Sequence, residues 1–119
     1  MRGNLAARCQ IVGGNFFDSV PEGADGYLLK GVIHDWPDED AVRILRNTRR
    51  AIPQDGMLVL IERIVDSARP AGLMDLLMLV LGGRERTEAD LRALLAAAGF
   101  SLTCIIPTEA DSLIECRPA

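Results

Sequence analysis

The sequence predicts an α/β domain: a mostly parallel sheet closed by an antiparallel hairpin at its carboxyl end. Two observations carry this. Short apolar runs alternate with longer stretches whose apolar residues recur at helical spacing. The last two runs, Phe100 to Pro107 and Ser112 to Cys116, are joined by only Thr108 to Asp111, a link that suits a hairpin and is too short for a crossover.

The elements come in this order. Arg8 to Val12 reads as a short strand ending at Gly13-Gly14. Asn15 to Asp25 is a loop broken by Pro21 and Gly23. Tyr27 to Lys30 is the next strand, and His34-Asp35-Trp36-Pro37 comes after it. A helix begins at Pro37 or Asp38 and ends near Ala51. Its apolar stripe is Ala41, Ile44, Leu45, Thr48 and Ile52, at i, i+3, i+4, i+7 and i+11. Pro37 suits its first turn, Asp38, Glu39 and Asp40 load its positive end, and Pro53 and Gly56 stop it.

Met57 to Ile61 is continuously apolar, as for a strand covered on both faces. Gly72 to Leu81 is apolar almost all round and predicts a buried helix. Thr87 to Ala98 predicts another: Thr87 and Asp90 have capping-box spacing, Leu91, Leu94, Leu95 and Ala98 form the stripe, and Gly99 is its stop.

A length of 119 residues suits one domain, and the 49% apolar content supplies a core. The net charge of −4 argues against a nucleic-acid surface. Arg43, Arg46, Arg49 and Arg50 read as the solvated face of a helix. Cys9, Cys104 and Cys116 are an odd count without metal-ligand spacing, which predicts small apolar packers in a reduced, cytoplasmic compartment and no metal site. Met1-Arg2 is not followed by the apolar stretch of a signal peptide, and the run Leu76 to Leu81 is too short to span a bilayer, so no membrane role is expected.

In open α/β sheets ligands bind beyond the carboxyl ends of the strands. That rule selects His34 after the Tyr27 strand, Glu62 at the end of the Met57 strand, and Asn15 to Asp18 after the Arg8 strand. His34 is the only histidine in the chain. It can accept a proton near neutral pH, and a carboxylate such as Glu62 or Glu85 can hold its second ring nitrogen. Each residue has a plainer explanation beside this one. His34 can cap or bury a helix start, and Glu62 can pair with Arg63, Arg84 or Arg86 on the surface. Asp75, the one charge in Leu73 to Leu81, needs water, a partner or a pocket. Trp36 reads as a packing residue, and Gly82-Gly83 as a flexible joint that cradles no phosphate.

These residues fall into a familiar pattern. Leu28-Leu29-Lys30-Gly31-Val32-Ile33-His34-Asp35-Trp36 resembles the L-K-x-x-x-H-D-W segment of plant-type and bacterial O-methyltransferases, such as those acting on caffeic acid, hydroxyneurosporene and anthracyclines. Gly13-Gly14-Asn15-Phe16-Phe17 resembles their V-G-G-D-F-F, Gly82 to Thr87 their G-G-x-E-R-T, and Ala97-Ala98-Gly99-Phe100 their A-A-G-F. Four motifs in the right order cover nearly the whole chain.

The resemblance implies an incomplete Rossmann-like methyltransferase sheet of family order 3-2-1-4-5-7-6, with this chain supplying strands three to seven. It implies transfer of a methyl group from S-adenosylmethionine to a hydroxyl of a small aromatic or polyketide-like molecule. His34 corresponds to the catalytic base, and Glu62 and Glu85 to the acids that orient it. Asn15, Phe16 and Lys30 match positions near the adenosyl group. Asp35 matches a residue beside the substrate, and Asp75 is a candidate for the same pocket. Asn15 stands where the family has Asp. The family's glycine-rich turn for the methionine end of the cofactor, its ribose-binding acid and its amino-terminal dimerisation domain have no counterpart in residues 1 to 119. A sheet lacking those strands exposes an apolar edge on the Tyr27 strand. Closure is expected from the Arg8 strand, a second copy or another partner. Two other readings stay open: a truncated relative that binds a ligand or partner without transferring methyl, and the same scaffold hosting different chemistry.

Overall fold

The computed structural model describes residues 9, 11–65 and 86–119. The predicted helix from Gly72 to Leu81, and with it Asp75, Gly82, Gly83 and Glu85, lies outside the described residues.

Four strands and two helices are described. They are β1 (Gly26–Lys30), α1 (Asp38–Ala51), β2 (Met57–Glu62), α2 (Glu88–Ala98), β3 (Phe100–Pro107) and β4 (Ser112–Pro118). The sheet runs β1-β2-β4-β3. This is the four-five-seven-six portion of the order the resemblance implied. β1 and β2 are parallel, with Tyr27 opposite Leu58 and Lys30 opposite Ile61. β4 is antiparallel to both β2 and β3.

The predicted strand from Arg8 to Val12 is corrected. Cys9, Ile11 and Val12 belong to no strand, and Ile11 is 98% exposed. A strand needs a hydrogen-bonding neighbour, and among the described residues β1 pairs only with β2.

Alternation along β2 decides which side chains reach the interior. Leu58, Leu60 and Glu62 are buried, while Met57, Val59 and Ile61 are half-buried. The core-facing leucines cluster with Ile114 and Cys116 of β4, Ile44 and Leu45 of α1, Leu91 and Leu95 of α2, and Phe100. Each fully buried Leu or Ile contributes about 1.5–3 kcal/mol relative to exposure. Glu62 shares their register, so the sheet's period of two carries a carboxylate into the interior, where it needs a partner.

The helix termini are those the sequence predicts. Thr87 Oγ1 accepts from the Asp90 N–H at 3.2 Å, and Asp90 Oδ2 accepts from the Thr87 N–H at 3.0 Å, a complete capping box. Gly99 closes α2 in the left-handed conformation, φ 93°.

Candidate active site

β1 ends at Lys30, which is exposed. Gly31 keeps the chain tied to β2 through its N–H to the Ile61 carbonyl, 3.0 Å, while its φ of 65° turns the backbone away from the sheet. A side chain would be strained there. A short 3₁₀ turn, Ile33–Asp35, comes next, anchored by the fully buried Ile33. The turn carries His34 above the end of β2.

There it meets Glu62. The carboxylate is only 3% exposed. Its Oε1 accepts from the His34 backbone N–H at 3.1 Å, and its Oε2 stands 2.7 Å from His34 Nδ1. The surface pairing considered for Glu62 is therefore replaced by a buried one. On the other side of the ring, Nε2 lies 3.2 Å from Asp35 Oδ1, and Asp35 is more than half exposed. Carboxylate oxygens thus face both ring nitrogens, one fixed in the interior and one on the solvent side. With its proton on Nδ1 the ring donates to Glu62, and Asp35 marks the solvent-side position at which Nε2 meets a second group.

The turn after Gly14 converges on the same end of the sheet. Asn15 Oδ1 accepts from the Phe17 N–H at 2.9 Å, and the Asn15 carbonyl accepts from Asp18 and Ser19. The side-chain oxygen is thus occupied by its own turn, which leaves the amide N–H groups to offer a ligand. Phe17 meets Trp36 edge-on with centroids 4.7 Å apart, and Phe16 meets it at 6.4 Å. Trp36 packs as expected, and it joins this turn to the His34 segment. An open groove beside β1 is lined by Gly13, Gly14, Asn15 and Phe16 together with Leu28 and Leu29.

Other residues that build the site were not assigned to it from sequence. Asn47, buried on α1, donates to the Phe16 carbonyl at 2.9 Å, and Arg43 donates to the Phe17 carbonyl at 2.9 Å. They lie four apart, one helical turn, and together hold the turn in place. The arginines of α1 are thus more than a solvated face: Arg46 reaches the Ala97 carbonyl at 3.4 Å and Arg49 the Gly99 carbonyl at 3.1 Å. The third is Arg86, at 3% exposure. It donates from Nη1 to the Ile33 carbonyl at 3.0 Å, from Nη2 to the Trp36 carbonyl at 2.8 Å, and from Nε to Asp38 Oδ1 at 3.0 Å. No helix among the described residues is long and apolar enough to cross a membrane.

Residues 1–101 match the O-methyltransferase domain family. The chain belongs to that family. It is 45% identical to the mitomycin biosynthesis 6-O-methyltransferase of Streptomyces lavendulae, over 97% of this chain and 34% of that protein. It is 42% identical to the 8-amino-8-demethylriboflavin N,N-dimethyltransferase of Streptomyces davaonensis, over 96% of this chain and 34% of that protein. Among solved structures it resembles the O-methyltransferase NcsB1 from neocarzinostatin biosynthesis, in complex with S-adenosyl-L-homocysteine and 1,4-dihydroxy-2-naphthoic acid. The TM-score is 0.90 at 39% identity, covering 99% of this chain and 36% of that one. The chain spans about a third of the length of the curated relatives it matches.

Two of the residues assigned from sequence, His34 and Glu62, are in direct contact, and Asp35 closes on the same ring. Phe16 joins this end of the sheet through Trp36, Asn15 precedes it in the same turn, and Lys30 ends β1. Glu85 and Asp75 lie outside the described residues.

Proposed function

We propose that this chain is the carboxyl-terminal catalytic segment of an S-adenosylmethionine-dependent O-methyltransferase. It acts on a hydroxyl of a small aromatic or polyketide-like molecule, with His34 as general base. The observation that carries the reading is the buried Glu62 carboxylate on His34 Nδ1 at 2.7 Å, at the carboxyl end of the parallel strand pair. When bound, S-adenosylmethionine supplies an electrophilic methyl group. The chain's own residues prepare the acceptor.

Glu62 keeps the proton on Nδ1, so Nε2 is the nitrogen that takes the substrate proton. Asp35 stands at Nε2 on the solvent side, where an incoming hydroxyl must arrive. The hydroxyl takes the place of the Asp35 carboxylate at Nε2, and Asp35 then lines the substrate. His34 removes the hydroxyl proton, and Glu62 stabilises the imidazolium that results. Glu85 is assigned as a second orienting acid and Asp75 to the substrate pocket.

The groove along β1 suits the adenosyl end of the cofactor: Phe16 and Leu28 offer apolar walls, and Asn15 offers amide N–H groups. Lys30 is assigned to the same end. None of these groups addresses the methionine end. The isolated chain is therefore expected to bind S-adenosylmethionine weakly or not at all, and micromolar affinity by calorimetry would overturn that. Free cysteines fit a cytoplasmic enzyme.

The deciding experiment is His34→Ala in a full-length family protein carrying this segment. Turnover should fall by roughly 10²–10⁴-fold. Near-normal turnover removes His34 from the role. A second reading is a segment that binds a ligand or partner and transfers nothing. Methyl transfer by the 119-residue chain, alone or supplied with the remainder of the domain, rejects it.

A further inference from the structure

Arg86 ties together the two segments that carry His34 and Glu62, by two different routes. Its backbone belongs to the β2 side. Arg86 and Ile64 form a parallel bridge, and the Arg86 carbonyl accepts from the Val65 N–H at 3.0 Å, just beyond the strand that ends in Glu62. Its side chain belongs to the His34 side. The guanidinium spans the carbonyls of Ile33 and Trp36, which bracket His34 and Asp35, and continues to Asp38 at the start of α1. The group is 3% exposed, so its buried charge needs well-formed partners. A neutral donor could satisfy one of these carbonyls. Holding two carbonyls of a tight turn and a carboxylate together requires a rigid planar fork.

From this bridging we propose that Arg86 is the positioning residue of the site: it sets the separation of His34 from Glu62 by locking the 33–36 turn to the end of β2. Arg86 touches neither ring nitrogen in these contacts and takes no proton. It fixes where the imidazole sits when the hydroxyl arrives. In catalysis a misplacement of about 1 Å costs on the order of 100-fold in rate. This rests on the reading of His34 as the base, but its test does not pass through methyl transfer.

His34 is the only histidine in the chain, so a sample labelled with nitrogen-15 in histidine gives the signals of one imidazole. The test uses the full 119-residue chain at neutral pH. In the parent, the Nδ1 proton should be protected and hydrogen-bonded, as its 2.7 Å contact with Glu62 requires. In Arg86→Gln that signature should be lost and the ring nitrogens should move toward free imidazole, while the amide signals of the β3–β4 hairpin stay in place. Arg86→Lys keeps the charge without the fork and should fail in the same way. A purely structural Arg86 lowers the unfolding midpoint and leaves the His34 signals of the folded molecule unmoved; that result overturns the proposal. Should Arg86→Gln not fold, Asp38→Asn decides. It removes the negative charge that faces the guanidinium at a half-exposed position, and a smaller displacement of the same His34 signals supports the proposal. Unmoved signals in that variant reject it. A failed His34→Ala assay with a displaced imidazole in Arg86→Gln would reject the catalytic reading and leave the positioning intact.

Discussion

Glu62 grips His34 at two points, with one carboxylate oxygen on the backbone N–H and the other 2.7 Å from the ring nitrogen Nδ1. The backbone contact fixes the height of the turn above β2, and the ring contact fixes its rotation. Glu62→Ala leaves both groups without this acceptor and should destabilise the chain by about 1–3 kcal/mol in urea unfolding. Glu62→Gln keeps an acceptor and most of the volume, and should lose less. An alanine variant as stable as the parent would mean that the double contact contributes nothing.

Gly31→Ala tests the corner that launches this turn. The residue sits at φ 65°, and an added Cβ would lie 3.4 Å from His34 Cε1. The left-handed conformation costs an alanine roughly 1–2 kcal/mol. The expected outcome is a loss of that order in thermal or urea unfolding, with altered His34 ring signals. Equal or greater stability would show that the corner relaxes without strain.

The cysteines should divide by burial. Cys9 and Cys104 are exposed and Cys116 is buried, its thiol pushed up from 9.0 to about 12 by desolvation and by nearby Glu115. A disulfide-exchange reagent on the native chain should label Cys9 and Cys104 and spare Cys116 until urea is added. The same thiol gives a pH dependence. Between about pH 9 and 12 the unfolded chain releases a proton that the folded chain keeps. The unfolded state then binds fewer protons, so stability falls as pH rises, by at most about 1.4 kcal/mol per unit from this group. Below pH 9 its contribution is fully present. Cys116→Ala should flatten the alkaline slope; an unchanged slope would assign the loss to other groups.

The free edge of β1 predicts self-association. Among the described residues β1 pairs only with β2, and Leu28 is 61% exposed. Unpaired strand edges with apolar side chains recruit other strands. Light scattering should give a mass that rises with concentration, and Leu28→Lys should shift it toward monomer. A monomer at every concentration, with fast amide exchange along β1, would show that the edge is tolerated open.

Much of this molecule was legible because its signals are local. The stripe from Ala41 to Ile52, the Thr87 to Asp90 box and the Gly99 stop each need only a helical period or a cap, and they fell where expected. The contact of His34 with Glu62 was legible for another reason: parallel strands deliver their ends to one edge. What escaped notice was long-range. Arg86 is 53 residues from Ile33, and Asn47 is 31 from Phe16. A buried arginine reads in sequence like any surface charge, and nothing local marks the carbonyls it serves. The Arg8 to Val12 strand failed for the opposite reason. Its apolar run is genuine, but a strand is defined by a neighbour, and no run of residues reports whether one is there.

The place of β4 between β2 and β3 has a consequence for how the molecule is made. β3 comes after β2 in the chain, yet the two never touch as neighbours, and the strand that joins them is synthesised after both. Until Ser112–Pro118 is available, β2 has no partner on that side and Phe100–Pro107 has no sheet to join. Leu58 and Leu60 must therefore wait with one flank unprotected while the rest of the hairpin is translated. Sheet completion is a late event by construction, and the chain is most exposed to misassociation just before it. A stop codon or a protease cut before β4 would do more than trim an edge. It would separate the β1–β2 pair that carries Glu62 from the strand that gives it a second neighbour.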